Sequence, residues 1–244
     1  SFSRAARLPN EVRVRAALLK LADPVLGAVG FARLLELPPD AYQVLLRQSL
    51  GLEGAALHLA ARAAAKLDPE ASNQGARELL GQSSPENRRL GLALLGALGG
   101  EANATLVLSH LSDADPSVRT EAAHDLVLIQ GRGALASLAP LLRDPDEGVR
   151  RSILTAVITS GEPTDANLLL PGLADESEGL RAQAVLGLAL LAAEEHAQSI
   201  LALSQDNSPR VREAVATALA RLPGDQALGV LLRLGRDGQA EVRK

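Results

Sequence analysis

A seven-residue run that recurs at a fixed interval constrains this chain more than any other feature. The run DADPSVR at Asp113–Arg119 is followed by DPDEGVR, DESEGLR, DNSPRVR and DGQAEVR, and each copy starts 31 residues after the previous one. Internal repetition at such a period is typical of repeat arrays, in which like units stack on their neighbours. We therefore expect one stack of similar units, built without a single central core.

Each copy carries the pattern of two helices. In the second helix, apolar residues recur at every fourth position, as in Val118, Ala122 and Leu126, which is the spacing of a helical stripe. Aromatic residues make up 1% of the 244 residues, and a core of Leu and Ala favours packed helices over a sheet. The sequence predicts an all-α fold of about eight antiparallel helix pairs.

The residues before and within the helices predict where they begin and where they are distorted. A short oxygen-bearing side chain lies just before each second helix, where it can accept a hydrogen bond from a free helix N–H: Ser84, Asp115, Asp146, Ser177 and Ser208. Pro140 and Pro171 lie inside successive first helices, and each is expected to bend its helix or to remove a hydrogen bond.

The repeat is regular over 101–244 and blurred over 1–100. Gln82 stands where the repeated Asp would fall, although Arg88 keeps the register of Arg119. We interpret 1–244 as a single repeat domain that begins with degenerate copies. A second-helix stub is expected from Ala240, with no polar closing repeat after it, so we expect either a longer polypeptide or an end covered by a partner or a second copy.

The run D-x-x-x-x-V-R at the start of the second helix resembles HEAT repeats, and its short spacing is most similar to the phycobilin-lyase (PBS-lyase) type. The resemblance is specific over 101–244. It implies a right-handed α-solenoid whose second helices line the inner curve. Proteins of this kind mostly serve as interaction scaffolds or regulatory domains, while some are bilin lyase subunits, some bind DNA, and one branch is a di-iron hydroxylase with His-Glu ligand pairs.

The repeated Asp and Arg residues are expected to serve the scaffold. One Asp and one Arg per copy, at a constant offset, can pair within and between neighbouring copies, because the Arg fork suits a carboxylate. This predicted ladder comprises Asp113, Arg119, Asp144, Arg150, Asp175, Arg181, Asp206 and Arg212.

The sequence indicates neither catalysis nor a metal or cofactor site. His58, His110, His124 and His196 form no His-Glu dipeptide and no i, i+4 pair, which a metal site on one helix would use. The chain has no Cys, and it contains no nucleophile elbow, phosphate-binding glycine loop or dinucleotide fingerprint. We therefore predict that it is not an enzyme.

The expected binding surface lies at positions that differ from copy to copy, beside positions whose residues recur because they build the stack. Two columns of the second helix vary, the residue after the ladder Arg and the residue four positions later. They would form a strip along the inner face, and the predicted partner-binding residues are Arg89, His124, Arg151, Thr155, Leu186 and Thr217. The predicted partner is another protein or another domain of the same polypeptide.

Other readings stay open at this point. A bilin lyase-like role rests on the resemblance alone. Nucleic-acid binding is disfavoured by the formal net charge of −4 and by the acidic turns beside the Arg doublets. No apolar run long enough to cross a bilayer is expected, and we expect a cytoplasmic protein. Self-association through the C-terminal end is a further expectation.

Overall fold

The computed structural model describes residues 8–192, 194–220 and 225–243, and it contains no strand within these ranges. The prediction of an all-α fold is therefore confirmed. The chain divides into two compact units, Ser1–Gln130 and Gly131–Lys244, which are described one at a time.

Over its described residues, 8–130, the first unit has eight α-helices joined by short turns. They are α1 (Asn10–Leu21), α2 (Gly27–Leu35), α3 (Tyr42–Ser49), α4 (Gly54–Leu67), α5 (Pro69–Leu80), α6 (Pro85–Leu98), α7 (Glu101–Ser109) and α8 (Pro116–Gln130), with 3-10 turns at Pro39–Ala41 and His110–Ser112. Successive helices pack in pairs, and α6 also packs against both α4 and α8. Leu90, Leu94 and Leu126 are fully buried there, as the fourfold spacing of apolar residues predicts.

The second unit repeats the pairing with distorted first helices. Its α-helices are α9 (Leu135–Leu138), α10 (Glu147–Ser160), α11 (Glu178–Ala192), α12 (Ala197–Ala202), α13 (Pro209–Leu219) and α14 (Asp225–Leu234), and its 3-10 segments are Gly131–Ala134, Ala139–Arg143, Pro163–Ala174 and Leu203–Gln205. Pro140 and Pro171 both lie in 3-10 segments. A proline inside a helix removes a donor and clashes with the preceding turn, so the predicted distortion takes the form of 3-10 winding.

Two local predictions need correction. Ser84, Asp115 and Asp146 do accept hydrogen bonds from N–H groups of the first helical turn, but Ser208 makes no such bond. The N–H of Ser208 donates to Asp206 Oδ1 at 2.8 Å, and the same bond to the repeated Asp closes the turn in the other copies. Residues 240–243 form turns in place of the predicted helical stub.

Among the residues that the structure describes, one helical stretch, Pro116–Arg143, is long and apolar enough to cross a membrane by length and composition alone, which differs from the expectation of no such run. A third of its most apolar window, 33%, is buried inside the protein. Core helices of repeat proteins meet the same criterion, and this stretch includes Glu121 and Asp125, which are costly in hydrocarbon.

Candidate functional site

The repeated Asp and Arg side chains meet between neighbouring copies within each unit. Arg150 donates to both oxygens of Asp175, from Nε at 2.7 Å and from Nη2 at 3.0 Å. The same two-bond arrangement joins Arg181 to Asp206, Arg212 to Asp237 and, in the first unit, Arg88 to Asp113. Each pair connects the turn of one copy to the turn of the next.

These Arg side chains also hold the turn of their own copy. Arg150 Nη1 donates to the backbone oxygen of Asp144 at 2.8 Å, and Arg119 Nη1 makes the equivalent bond to Asp113 at 2.8 Å. Burial of Asp175 disfavours its charged form, but hydrogen bonds from Arg150 and from the Ser177 N–H outweigh burial and lower the pKa of Asp175 below its ordinary value. The carboxylate therefore stays charged at neutral pH.

A groove of about 730 Å³ lies on the second unit, and it includes three of the predicted partner-binding residues. Arg151, Leu186 and Thr217 lie on α10, α11 and α13, and each lines the groove. Apolar lining comes from Ile158 and Leu190, and charged lining from Arg210 and Glu213. Leu186 and Leu190 expose 43% and 53% of their surface, so the groove offers solvent-facing apolar area beside charges of both signs.

The other predicted partner-binding residues have different surroundings. Thr155 lies on α10, where its hydroxyl donates to the Arg151 carbonyl and accepts from Gln183. In the first unit, His124 is exposed on α8. Arg89, whose side chain is 12% exposed, lies between Glu53 at 3.2 Å and Glu121 at 3.7 Å.

Four side chains of the first unit, which the sequence analysis did not group, come together beside Arg89. His58 of α4 and Glu121, His124 and Asp125 of α8 each offer one nitrogen or oxygen, and these atoms lie within 4.8 Å of one another. His58 Nε2 is 2.8 Å from Glu121 Oε1 and 3.3 Å from Asp125 Oδ1. His124 Nδ1 is 3.6 Å from Asp125 Oδ1. We call these four residues the His–carboxylate cluster.

The cluster controls the charge of His58. Burial disfavours the protonated ring, but Asp125 and Glu121 outweigh burial and raise the pKa of His58 to about 10. The other ring nitrogen, Nδ1, lies 2.8 Å from the Gly54 carbonyl. Since a carbonyl only accepts, Nδ1 carries a hydrogen, and Nε2 is the atom that faces the carboxylates.

Sequence reasoning missed this cluster because its members are far apart along the chain. His58 and His124 belong to different helix pairs, and no spacing rule within one helix joins them. A signal was nevertheless present in the repeat alignment. Glu121 aligns with Leu90, Ser152, Gln183 and Ala214, and Asp125 aligns with Leu94, Ala156, Gly187 and Ala218. Only the copy at 113–143 carries acids in these two columns.

Comparison with known proteins identifies the family. A family profile described as HEAT repeats matches residues 104–179 and 166–244, which together cover more than half of the chain. The chain belongs to the HEAT-repeat family, and its fold is that of a HEAT-like α-solenoid. No curated protein sequence matches it.

Among solved structures, the complex of Pds5 with Scc1 is similar at 14% identity with a TM-score of 0.54, over 91% of this chain and 42% of that chain. Human deoxyhypusine hydroxylase is similar at 19% identity with a TM-score of 0.39, over 96% of this chain and 93% of that one. The CpcE–CpcF complex of phycocyanin lyase from a Nostoc species gives 19% identity and a TM-score of 0.40, over 93% of each chain.

Proposed function

We propose that this HEAT-repeat chain is a non-catalytic interaction module that binds a segment of another protein, or of another domain, in the groove of the second unit. The observation that carries this proposal is the coincidence of the groove with the variable columns of the repeat. Arg151, Leu186 and Thr217 all line it. Repeat proteins keep the residues that build the stack and vary those that contact the partner.

The lining favours a segment with apolar anchors flanked by acidic side chains. Leu186 and Leu190 supply exposed apolar area, and burying such area drives most protein association. Arg151 and Arg210 lie at the same groove, and Arg is suited to bidentate contact with a carboxylate. Arg151 pairs with Glu147 one turn earlier on its own helix, so an acidic partner group would compete with Glu147 for it.

The test is affinity capture followed by binding measurements on the captured partner. In the double variant, Arg151→Glu reverses one charge of the groove and Leu186→Asp places a charge in its apolar lining. A matched control is Arg236→Glu with Leu232→Asp, because both residues are exposed and neither lines the groove. We expect the groove variant to lose the partner and the control to keep it, with both variants folded by circular dichroism.

Two outcomes would contradict the proposal. If every partner captured by the wild type survives the groove double variant, the groove is not the binding surface. If binding falls steeply with salt and follows added nucleic acid, the partner is a nucleic acid. Absorbance of a copurified tetrapyrrole would instead support the bilin-related alternative.

A further inference from the structure

The His–carboxylate cluster places two acids in a helix face that the other copies fill with small, apolar or uncharged residues. The equivalents of Asp125 are Leu94, Ala156, Gly187 and Ala218, so the stack forms without a charge at this position. Asp125 is fully buried and Glu121 is 7% exposed. Since burying a charge is costly unless it is paired or bound to a metal, these acids are not explained by the requirements of the repeat.

The buried acids are also incompletely satisfied. Among the described residues, both oxygens of Asp125, Oε1 of Glu121 and Nε2 of His58 make no hydrogen bond of normal geometry. The close approaches of His58 to the two acids, at 2.8 Å and 3.3 Å, are contacts between charged groups without good alignment. Buried polar atoms in folded proteins nearly always have partners, and a bound ion or an ordered water is expected where unsatisfied atoms converge on one point.

The surroundings of the cluster resemble the outer shell of a metal site. His58 donates from Nδ1 to the Gly54 carbonyl at 2.8 Å, and metal-binding His residues usually donate their second ring nitrogen in this way. Arg89 lies 3.7 Å from the outer oxygen of Glu121, which orients that carboxylate. Gly96 of α6 leaves room for Asp125, because a Cβ atom at position 96 would lie 2.4 Å from Asp125 Oδ1.

A metal ion could reach this site and be held there with small movements. A pocket of about 220 Å³ is lined by His58 and Gly96, and the His124 side chain is 51% exposed. Four ligand atoms arranged tetrahedrally at the usual ~2.1 Å from a zinc ion lie ~3.4 Å apart. The contacts of 2.8 Å, 3.3 Å and 3.6 Å are close to this distance, whereas the full set of four atoms spans up to 4.8 Å. The four side chains must therefore draw together when the ion binds, and the His124 ring, which is half exposed, is the one with most freedom to move.

We propose that His58, Glu121, His124 and Asp125 bind one divalent transition-metal ion of the zinc type. Two imidazole nitrogens and two carboxylate oxygens suit such an ion better than Mg²⁺ or Ca²⁺, which prefer oxygen ligands alone. The carboxylates would neutralise the ion, and the ion would join α4 to α8 within the first unit.

The test is calorimetric titration of the chelator-treated, full-length chain with Zn²⁺. We expect one equivalent of Zn²⁺ to bind and to raise the melting temperature of the wild type. His58→Gln and Asp125→Asn should each weaken binding by at least about tenfold. Titration with Co²⁺ gives a second readout, because nitrogen and oxygen ligation changes the visible spectrum of the ion. The chain has no Cys, so thiolates cannot produce that signal.

His110→Gln is the matched control, because His110 lies in the same unit with its ring at the Leu106 carbonyl and outside the cluster. It should bind Zn²⁺ as the wild type does. The proposal is overturned if the wild type binds no Zn²⁺, if His110→Gln weakens binding as much as His58→Gln does, or if Asp125→Asn leaves the affinity unchanged. Asn has nearly the same size and shape as Asp, so Asp125→Asn still tests whether the cluster binds Zn²⁺ if the His58 variant fails to fold.

Discussion

The Arg150–Asp175 pair of the second unit and the His–carboxylate cluster of the first unit both contain buried charges, but they differ in how completely those charges are hydrogen-bonded. Arg150 and Asp175 of the second unit are 8% and 9% exposed, and they form two short, direct hydrogen bonds. In the first unit, Asp125 is equally inaccessible, yet neither of its oxygens makes a hydrogen bond of normal geometry with a described residue. The first arrangement recurs in successive copies, whereas the second occurs in one copy only. We infer that the recurring pairs support the stack and that the unrepeated charges serve a ligand.

The largest effect is expected from breaking a satisfied pair. Arg150→Met keeps the length of the apolar stem but removes the guanidinium and with it both bonds to Asp175 and the bond to the Asp144 carbonyl. Breaking a largely buried pair in this way should lower the free energy of unfolding by about 3 kcal/mol. Arg151→Met, at the neighbouring exposed position, should change it by less than about 0.5 kcal/mol. Denaturant titration of both variants measures the difference, and equal effects would refute the role assigned to Arg150.

The stability that the Arg150–Asp175 pair contributes should depend on pH in a defined way. The pKa of Asp175 is lowered in the folded protein, so its contribution to stability is present above the unfolded value near 3.8 and is lost as pH falls through the folded value. The stability difference between the wild type and Asp175→Asn should be constant at neutral pH and shrink below about pH 4. A difference that shrinks near pH 6 instead would contradict this assignment.

A substitution at Gly96 can disturb the His–carboxylate cluster directly. Gly96→Ala would place a Cβ atom 2.4 Å from Asp125 Oδ1, and such overpacking should cost about 2 kcal/mol. Gly229→Ala is the control, since an added Cβ there has no atom within 4 Å, and it should stabilise α14 by up to about 1 kcal/mol. In an Asp125→Ala background the cost of Gly96→Ala should largely disappear. If the cost persists there, the clash is not with Asp125.

The smallest effect is expected at an exposed pair. Arg132 is 46% exposed where it contacts Asp165 at 2.6 Å, and solvent screens such interactions. Arg132→Gln should lower the free energy of unfolding much less than Arg150→Met does, and added salt should reduce the difference further. A loss as large as that of Arg150→Met would mean that solvent exposure does not explain why the Arg132–Asp165 pair contributes less to stability than the Arg150–Asp175 pair.

The sequence was sufficient to predict much of what the repeat makes periodic, although not the cap at Ser208 or the end of the last copy. Two helices per copy and the distortion at Pro171 follow from spacing and from the missing N–H of proline. The pairing of Arg150 with Asp175 follows the same logic, although the recurring Asp also closes the turn at Ser208, where a serine cap was predicted. The His–carboxylate cluster could not be predicted from spacing, because His58 lies outside the regular copies and meets Asp125 only through packing around α6. Comparing apolar columns for misplaced acids would have found half of it.

The comparison is tested most directly by the free energies of unfolding of Asp175→Asn and Asp125→Asn, measured side by side in metal-free buffer. Asp175→Asn removes a charge that is fully bonded, and it should cost about 2–3 kcal/mol. Asp125→Asn removes a buried charge that lacks well-aligned partners, so the relief of burial offsets the lost attraction to His58, and the change should be less than about 1 kcal/mol. Equal losses in the two variants would contradict the distinction between charges that hold the stack and charges that await a ligand.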